Sequence, residues 1–238
     1  MAQHETHQDG AHQAESHHDD SHRVEWRARA LECRDFAMEA QEAGAGAPTL
    51  CLGFADPASC RLLDDLARGL HLIALAPAAL PLDGAPALES ADLARHALTC
   101  ADSLGHGLFA IVARGDEDHA ALRLALLAPQ RVSALALLAP DLHSHDGPAG
   151  DADLLDAIAH LRAPALAAFG ALDRAAARNA RLLRERLPHC RISLLRDAGE
   201  EVERERPHAL ARMIAAFLRA PHAFSTFDDP AWSHGFPS

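Results

Sequence analysis

Histidine, cysteine and clustered carboxylates are the residues in this sequence whose types and spacing could do chemistry. Six of the first 22 residues are histidines, at positions 4, 7, 12, 17, 18 and 22, interspersed with five acidic residues. Imidazoles at that density are candidate ligands for weak, exchangeable binding of a divalent metal. His143 and His145, in the phrase Asp141-Leu-His-Ser-His-Asp146, form a second imidazole pair beside carboxylates. Cys33, Cys51, Cys60, Cys100 and Cys190 make an odd, widely spaced set with no C-x-x-C pair. That spacing argues against a zinc knuckle or a disulfide framework and makes a reducing cytoplasm the expected compartment. Asp116, Glu117 and Asp118 stand together ahead of a helical pattern. Carboxylates there cap orphan N–H groups and complement the helix dipole.

The elements that must carry these residues follow from the spacing of apolar positions. Val24, Trp26, Ala28 and Ala30 alternate with charged residues, as do Phe36, Met38 and Ala40, so the two runs predict an antiparallel hairpin. Thr49-Leu-Cys-Leu-Gly-Phe54 is an apolar run ending in Gly, the pattern of a buried strand. Asp56-Pro57 then opens a helix over about 57–68. Further strands are expected near 70–76, 107–113, 133–139, 164–169 and 190–196. Helices are expected near 89–104, 116–128, 151–161, 173–187 and 207–219. Continuous apolar strands separated by helices form a parallel sheet covered on both faces. The predicted fold class is α/β: an eight-stranded, mostly parallel sheet that begins with an antiparallel hairpin.

Composition bounds the rest. The chain has 238 residues, 49% hydrophobic, enough for a substantial core, and the periodic pattern assigns 23–220 to one domain. No stretch approaches the ~18 apolar residues of a membrane span. The start, MAQHETHQDG, has neither the basic nor the apolar segment of a signal peptide. The formal net charge is −12, and all 22 basic residues other than histidine are arginine. An acidic chain without a basic stripe is a poor match for nucleic acid or anionic lipid. Residues 1–22 carry too little apolar surface to offset their ordering entropy, so a disordered tail is expected. Residues 221–238 hold three Phe and one Trp without periodicity, the composition of an arm laid over a surface, its own or a partner's.

The order of elements, with several local phrases, resembles the α/β-hydrolase family, particularly small esterases of the carboxylesterase and lactonase type. Thr49 to Phe54 is similar to the strand ending in His-Gly-Phe that helps form the oxyanion hole. Leu108 to Ala113, a turn, then Ala120 to Ala125 resembles the strand, nucleophile elbow and helix. Arg131 to Pro140 is similar to the strand after it. Ala163-Pro164 through Gly170-Ala-Leu-Asp173 resembles the strand whose loop carries the acid. Asp197-Ala-Gly-Glu200, then Arg206-Pro207-His-Ala-Leu210, resembles the loop carrying the catalytic His and the closing helix. The resemblance covers about 23–219.

Hydrolysis on that fold needs a nucleophile on a strained strand-to-helix turn, a His to move the proton and an acid to orient it. The resemblance places Gly115 at the nucleophile position of Ala113-Arg-Gly-Asp-Glu117, where G-x-S-x-G is the working pattern. Gly accepts positive φ without cost, so the bend can outlive the chemistry. Glu117 replaces the second small residue. Asp173 keeps the acid position, Glu200 stands at the His position, and Leu52 replaces the oxyanion-strand His. Backbone donors at Phe54 and Asp116 are the oxyanion equivalents. The resemblance therefore implies a homologue without Ser-hydrolase activity, acting by binding as an accessory subunit, with a protein partner engaged through the two terminal arms and no cofactor.

Two rival readings use the same positions. One is a non-triad hydrolase, lyase or isomerase acting on a small acyl or ester-type substrate through Asp116, Asp173 and Glu200. Asp116 as a displaced nucleophile is its sharpest form. The other collects a cation between Asp173 and Glu200, with Asp116 or Glu117 and His119 near and His143 and His145 adding imidazoles. Storage of a small ligand in the former substrate pocket is a third. Cys51 and Cys60 lie away from the elbow, and Cys51 is expected as inert packing. The connection from Pro140 to Ala163 spends only about 22 residues, too few for a large cap, so little enclosure is expected.

Overall fold

In this computed structural model the described residues are 24–33, 36–76, 89–115, 117–142, 152–187, 189–224 and 232–233. The hairpin forms where alternation predicts it. β1 (Arg27–Cys33) and β2 (Phe36–Ala43) pair antiparallel, from Arg27 opposite Glu42 to Cys33 opposite Phe36. β3 (Ala47–Leu52) follows, then a 3-10 turn at Pro57–Ser59, α1 (Arg61–Ala67) and β4 (Leu70–Ala76). The remaining units are α2 (Ser90–Ser103), β5 (Phe109–Arg114), α3 (Glu117–Leu127) and β6 (Val132–Leu138). After them come α4 (Ala152–Ala157), β7 (Ala165–Gly170), α5 (Ala176–Arg186), β8 (Cys190–Leu195), α6 (Val202–Glu205) and α7 (Pro207–Arg219).

The strands form one sheet in the order β1-β2-β4-β3-β5-β6-β7-β8, parallel from β4 to β8, with β2 antiparallel to β4. Burial on both faces explains why the central strands read as unbroken apolar runs. Val132, Leu135 and Leu137 of β6 and Ala165, Ala167 and Phe169 of β7 face one core, which includes residues of α2, α3 and α5. Ala134, Ala136 and Leu138, with Leu166 and Ala168, face the other, beneath α1 and α7. The side-chain period of two thus divides each strand between two cores.

Several boundaries differ from the sequence reading, each for a local reason. The single helix expected over 57–68 is two pieces, because Cys60 adopts an extended conformation (φ −95°, ψ 102°) between the 3-10 turn and α1. The helix expected from 173 starts at Ala176, since Asp173 is spent on the turn before it. The helix expected over 151–161 is α4 followed by a 3-10 turn at Ile158–His160. A ninth strand of two residues, β9 (Trp232–Ser233), pairs antiparallel with Leu194 and Leu195 of β8. The described part of the C-terminal arm therefore lies on the chain's own sheet edge. Residues 1–22, His143, His145 and Asp116 fall outside the described residues.

Candidate functional site

The site is built where β3 and β5 leave the sheet side by side, Leu52 opposite Ala113 in register. β5 turns into α3 through Gly115, at φ 65°, and the Asp118 N–H donates to the Gly115 carbonyl at 3.1 Å to close the bend. β3 turns away through Gly53, at φ 84°. The two turns approach so closely that a Cβ on Gly53 would stand 2.3 Å from the Arg114 carbonyl oxygen, which admits only glycine. Gly115 is different. A Cβ there would meet nothing nearer than Glu117 Oε2, at 3.9 Å, so the bend has room for a side chain and carries none. The same Glu117 oxygen lies 2.9 Å from the Cβ position of Gly53. A carboxylate therefore stands between the two turns. Glu117 and Asp118 lie in the first turn of α3, where negative charge meets the positive end of the helix dipole.

An open cavity of about 730 Å³ runs from these turns to the start of α1 and to α6. Arg61, Arg114 and Arg204 line it with Asp56, Glu117 and Glu203, and no imidazole is present among the described lining residues. Glu203 is buried, its side chain 4% exposed, and its Oε1 stands 3.2 Å from Arg114 Nη2 across the cavity wall. Cys60 is half-buried on the same wall. Burial pushes its thiol pKa up; the N–H groups of Leu63 and Leu62 pull it down, and Glu203 adds to the rise. The thiol is thus held protonated, the unreactive form. Neither the Cys60 contribution nor the Arg114–Glu203 pair was visible in the sequence, because no local pattern links residues so far apart.

Asp173 and Glu200 come from the loops after β7 and β8. These loops are tied together, the Leu172 N–H donating to the Ala198 carbonyl at 2.8 Å. Neither carboxylate lines the cavity. Asp173 Oδ1 accepts the Ala175 N–H at 2.7 Å, shaping the turn into α5, while Glu200 is exposed. Phe54 is buried, 4% exposed, and lines the cavity beside Gly53. His119 is half-buried on α3. Among the described residues no three His, Cys, Asp or Glu side chains gather as a metal site requires.

No family model and no curated protein matches this sequence. Solved structures do. The naproxen esterase (carboxylesterase NP) of Bacillus subtilis superimposes with a TM-score of 0.66 at 15% identity, over 82% of this chain and 92% of that one. A predicted CIB-like hydrolase of Thermoplasma acidophilum gives 0.65 at 15% identity, over 82% and 99%. E-2-(acetamidomethylene)succinate hydrolase gives 0.67 at 16% identity, over 82% and 100%. The chain has the α/β-hydrolase fold. Within this fold, Gly115 occupies the bend between β5 and α3, and Gly53–Phe54 is the turn that follows β3. No described helix is long and apolar enough to cross a membrane.

Proposed function

We propose that this chain is a catalytically inactive α/β-hydrolase homologue that acts by binding, as an accessory subunit of a larger assembly in the cytoplasm. The observation that carries the reading is Gly115. The residue at the bend has positive φ and no side chain, so nothing stands where acyl transfer must begin. Glu200 at the position of the base and the Glu117 carboxylate beside the oxyanion strand support the same reading. Loss of triad members of this kind leaves rates lower by about 10⁴ to 10⁶. Binding through the terminal arms, residues 1–22 and 221–238, supplies the positive half of the proposal, with weak divalent metal binding assigned to the histidines of the first arm. Two of the residues the rival non-triad activity needs lend it no support: Asp173 is spent on a backbone turn and Glu200 lies in solvent.

The test has two arms. A fluorophosphonate reagent is expected to leave the purified chain unlabelled; stoichiometric labelling would overturn the inactive assignment. The native protein isolated from its source is expected to migrate as part of a larger complex, and a lone monomer would overturn the accessory role. Replacing Asp173 and Glu200 together by their amides is expected to leave the cellular phenotype unchanged. A lost phenotype would favour the non-triad enzyme.

A further inference from the structure

A second cleft lies at the opposite end of the sheet from Gly115, where β7 and β8 begin. Its volume is about 460 Å³, within the ~300–1,000 Å³ range that holds small-molecule ligands. Arg162, His189, Arg191 and His222 line it, with Pro164 and Pro221 as walls and no carboxylate among the described lining residues. That lining runs against the composition, in which 34 acidic residues outnumber 22 arginines. Many arginines elsewhere are spent on carboxylates, among them Arg95 on Asp92, Arg131 on Asp102, Arg186 on Asp156 and Arg204 on Glu201. Among the described residues Arg162 and Arg191 have no acidic partner. Arg191 is instead oriented by the backbone, its Nη2 donating to the His222 carbonyl at 3.1 Å, which ties the turn after α7 to the start of β8.

We propose that this cleft binds the phosphoryl group of a small molecule, with Arg162 and Arg191 as its charged clamps. The planar fork of guanidinium donors matches phosphate oxygens in pairs, and two forks, one from the loop before β7 and one from the start of β8, can hold one dianion from two sides. His189 and His222 add ring N–H donors at the rim. The remaining volume takes the organic part of a phosphate ester. A chain of net charge −12 repels anions in general, so binding of a dianion must come from a local concentration of positive charge. The site is independent of the reading given to Gly115 and stands or falls apart from it.

Isothermal titration of the full chain with inorganic phosphate and with glucose 6-phosphate tests the proposal, with glucose as the control for the sugar. At least one phosphate probe is expected to bind saturably at one per chain, and glucose not at all. Arg162→Gln and Arg191→Gln are each expected to weaken that binding about tenfold or more. Arg184→Gln, an exposed arginine on α5 outside the cleft, is expected to leave it unchanged. Arg191→Gln also loses the bond to the His222 carbonyl, so Arg162→Gln, with circular dichroism as a check on folding, is the deciding variant. Tighter binding of the ester assigns a phosphorylated metabolite, tighter binding of inorganic phosphate the free ion, and either supports the site. No saturable binding of either probe, or binding untouched by Arg162→Gln, overturns it.

Discussion

At Gly115 the backbone takes a positive φ with room for a side chain that it does not carry, and nearby Gly53 shows what a true steric requirement looks like. Gly115→Ser places a Cβ into open space at φ 65°, so it is expected to cost only the left-handed backbone penalty of about 1–2 kcal/mol. Gly53→Ala adds overpacking against the Arg114 carbonyl and is expected to reach about 3 kcal/mol or more. Urea midpoints at unchanged slope measure both. Gly115→Ser is also expected to hydrolyse no p-nitrophenyl ester, because no described imidazole lines the cavity to take its proton. The Arg114–Glu203 pair yields a second prediction. Arg114→Met strands a carboxylate whose side chain is 4% exposed and is expected to cost about 3 kcal/mol, held at that level because Arg114 itself is partly solvated. Arg114→Met with Glu203→Leu should recover most of the loss, and a double-mutant cycle measures it. The bend at Gly115 was legible because the resemblance aligns a glycine, which tolerates positive φ, with a sharp strand-to-helix turn. The Arg114–Glu203 contact was not, since a pairing between β5 and α6 exists only once the sheet has formed.

Elements were legible to the extent that one signal governed them. Central strands buried on both faces announce themselves as apolar runs, and β6 and β7 fall within a residue or two of their expected spans. Helix starts were less legible because side chains near them compete for the backbone. Asp173 is the clearest instance: its Oδ1 takes the Ala175 N–H, which keeps the chain in a turn until Ala176. β9 was illegible because two residues paired at a sheet edge have no periodicity to read. If the role of Asp173 is that of a turn-former, Asp173→Ala should cost about 1 kcal/mol and lower Tm by about 2–4 °C. Asp173→Asn should cost little, since an amide oxygen accepts the same bond. Differential scanning calorimetry of both variants decides the matter: equal losses would mean that the charge, not the acceptor, is what α5 uses.

Over the whole molecule, the missing residue types make one titration unusually clean. The chain contains no Lys and no Tyr, so cysteines are the side chains that titrate between about pH 8 and 12. Burial, the leading cause, raises the Cys51 thiol far above its ordinary range, aided by the nearby Cys60. Burial likewise pushes Cys190 up to about 12, although that residue is only partly covered and contributes less. A group whose folded pKa is raised contributes stability that is complete below its unfolded pKa. That stability drains away as pH climbs toward the folded value, because the unfolded chain releases its proton first. Stability under reducing conditions is therefore expected to be level from about pH 7 to 8.5. Above about pH 9 it should fall by up to ~1.4 kcal/mol per pH unit for each of these raised thiols. Cys51→Ala should be less stable at neutral pH, having lost core packing, yet decline less steeply by about one proton's worth. Urea unfolding at intervals from pH 7 to 10.5 reads both slopes. Parallel curves for the two proteins would show that the Cys51 thiol ionises as freely in the folded chain as in the unfolded one, and that the core around β3 admits water.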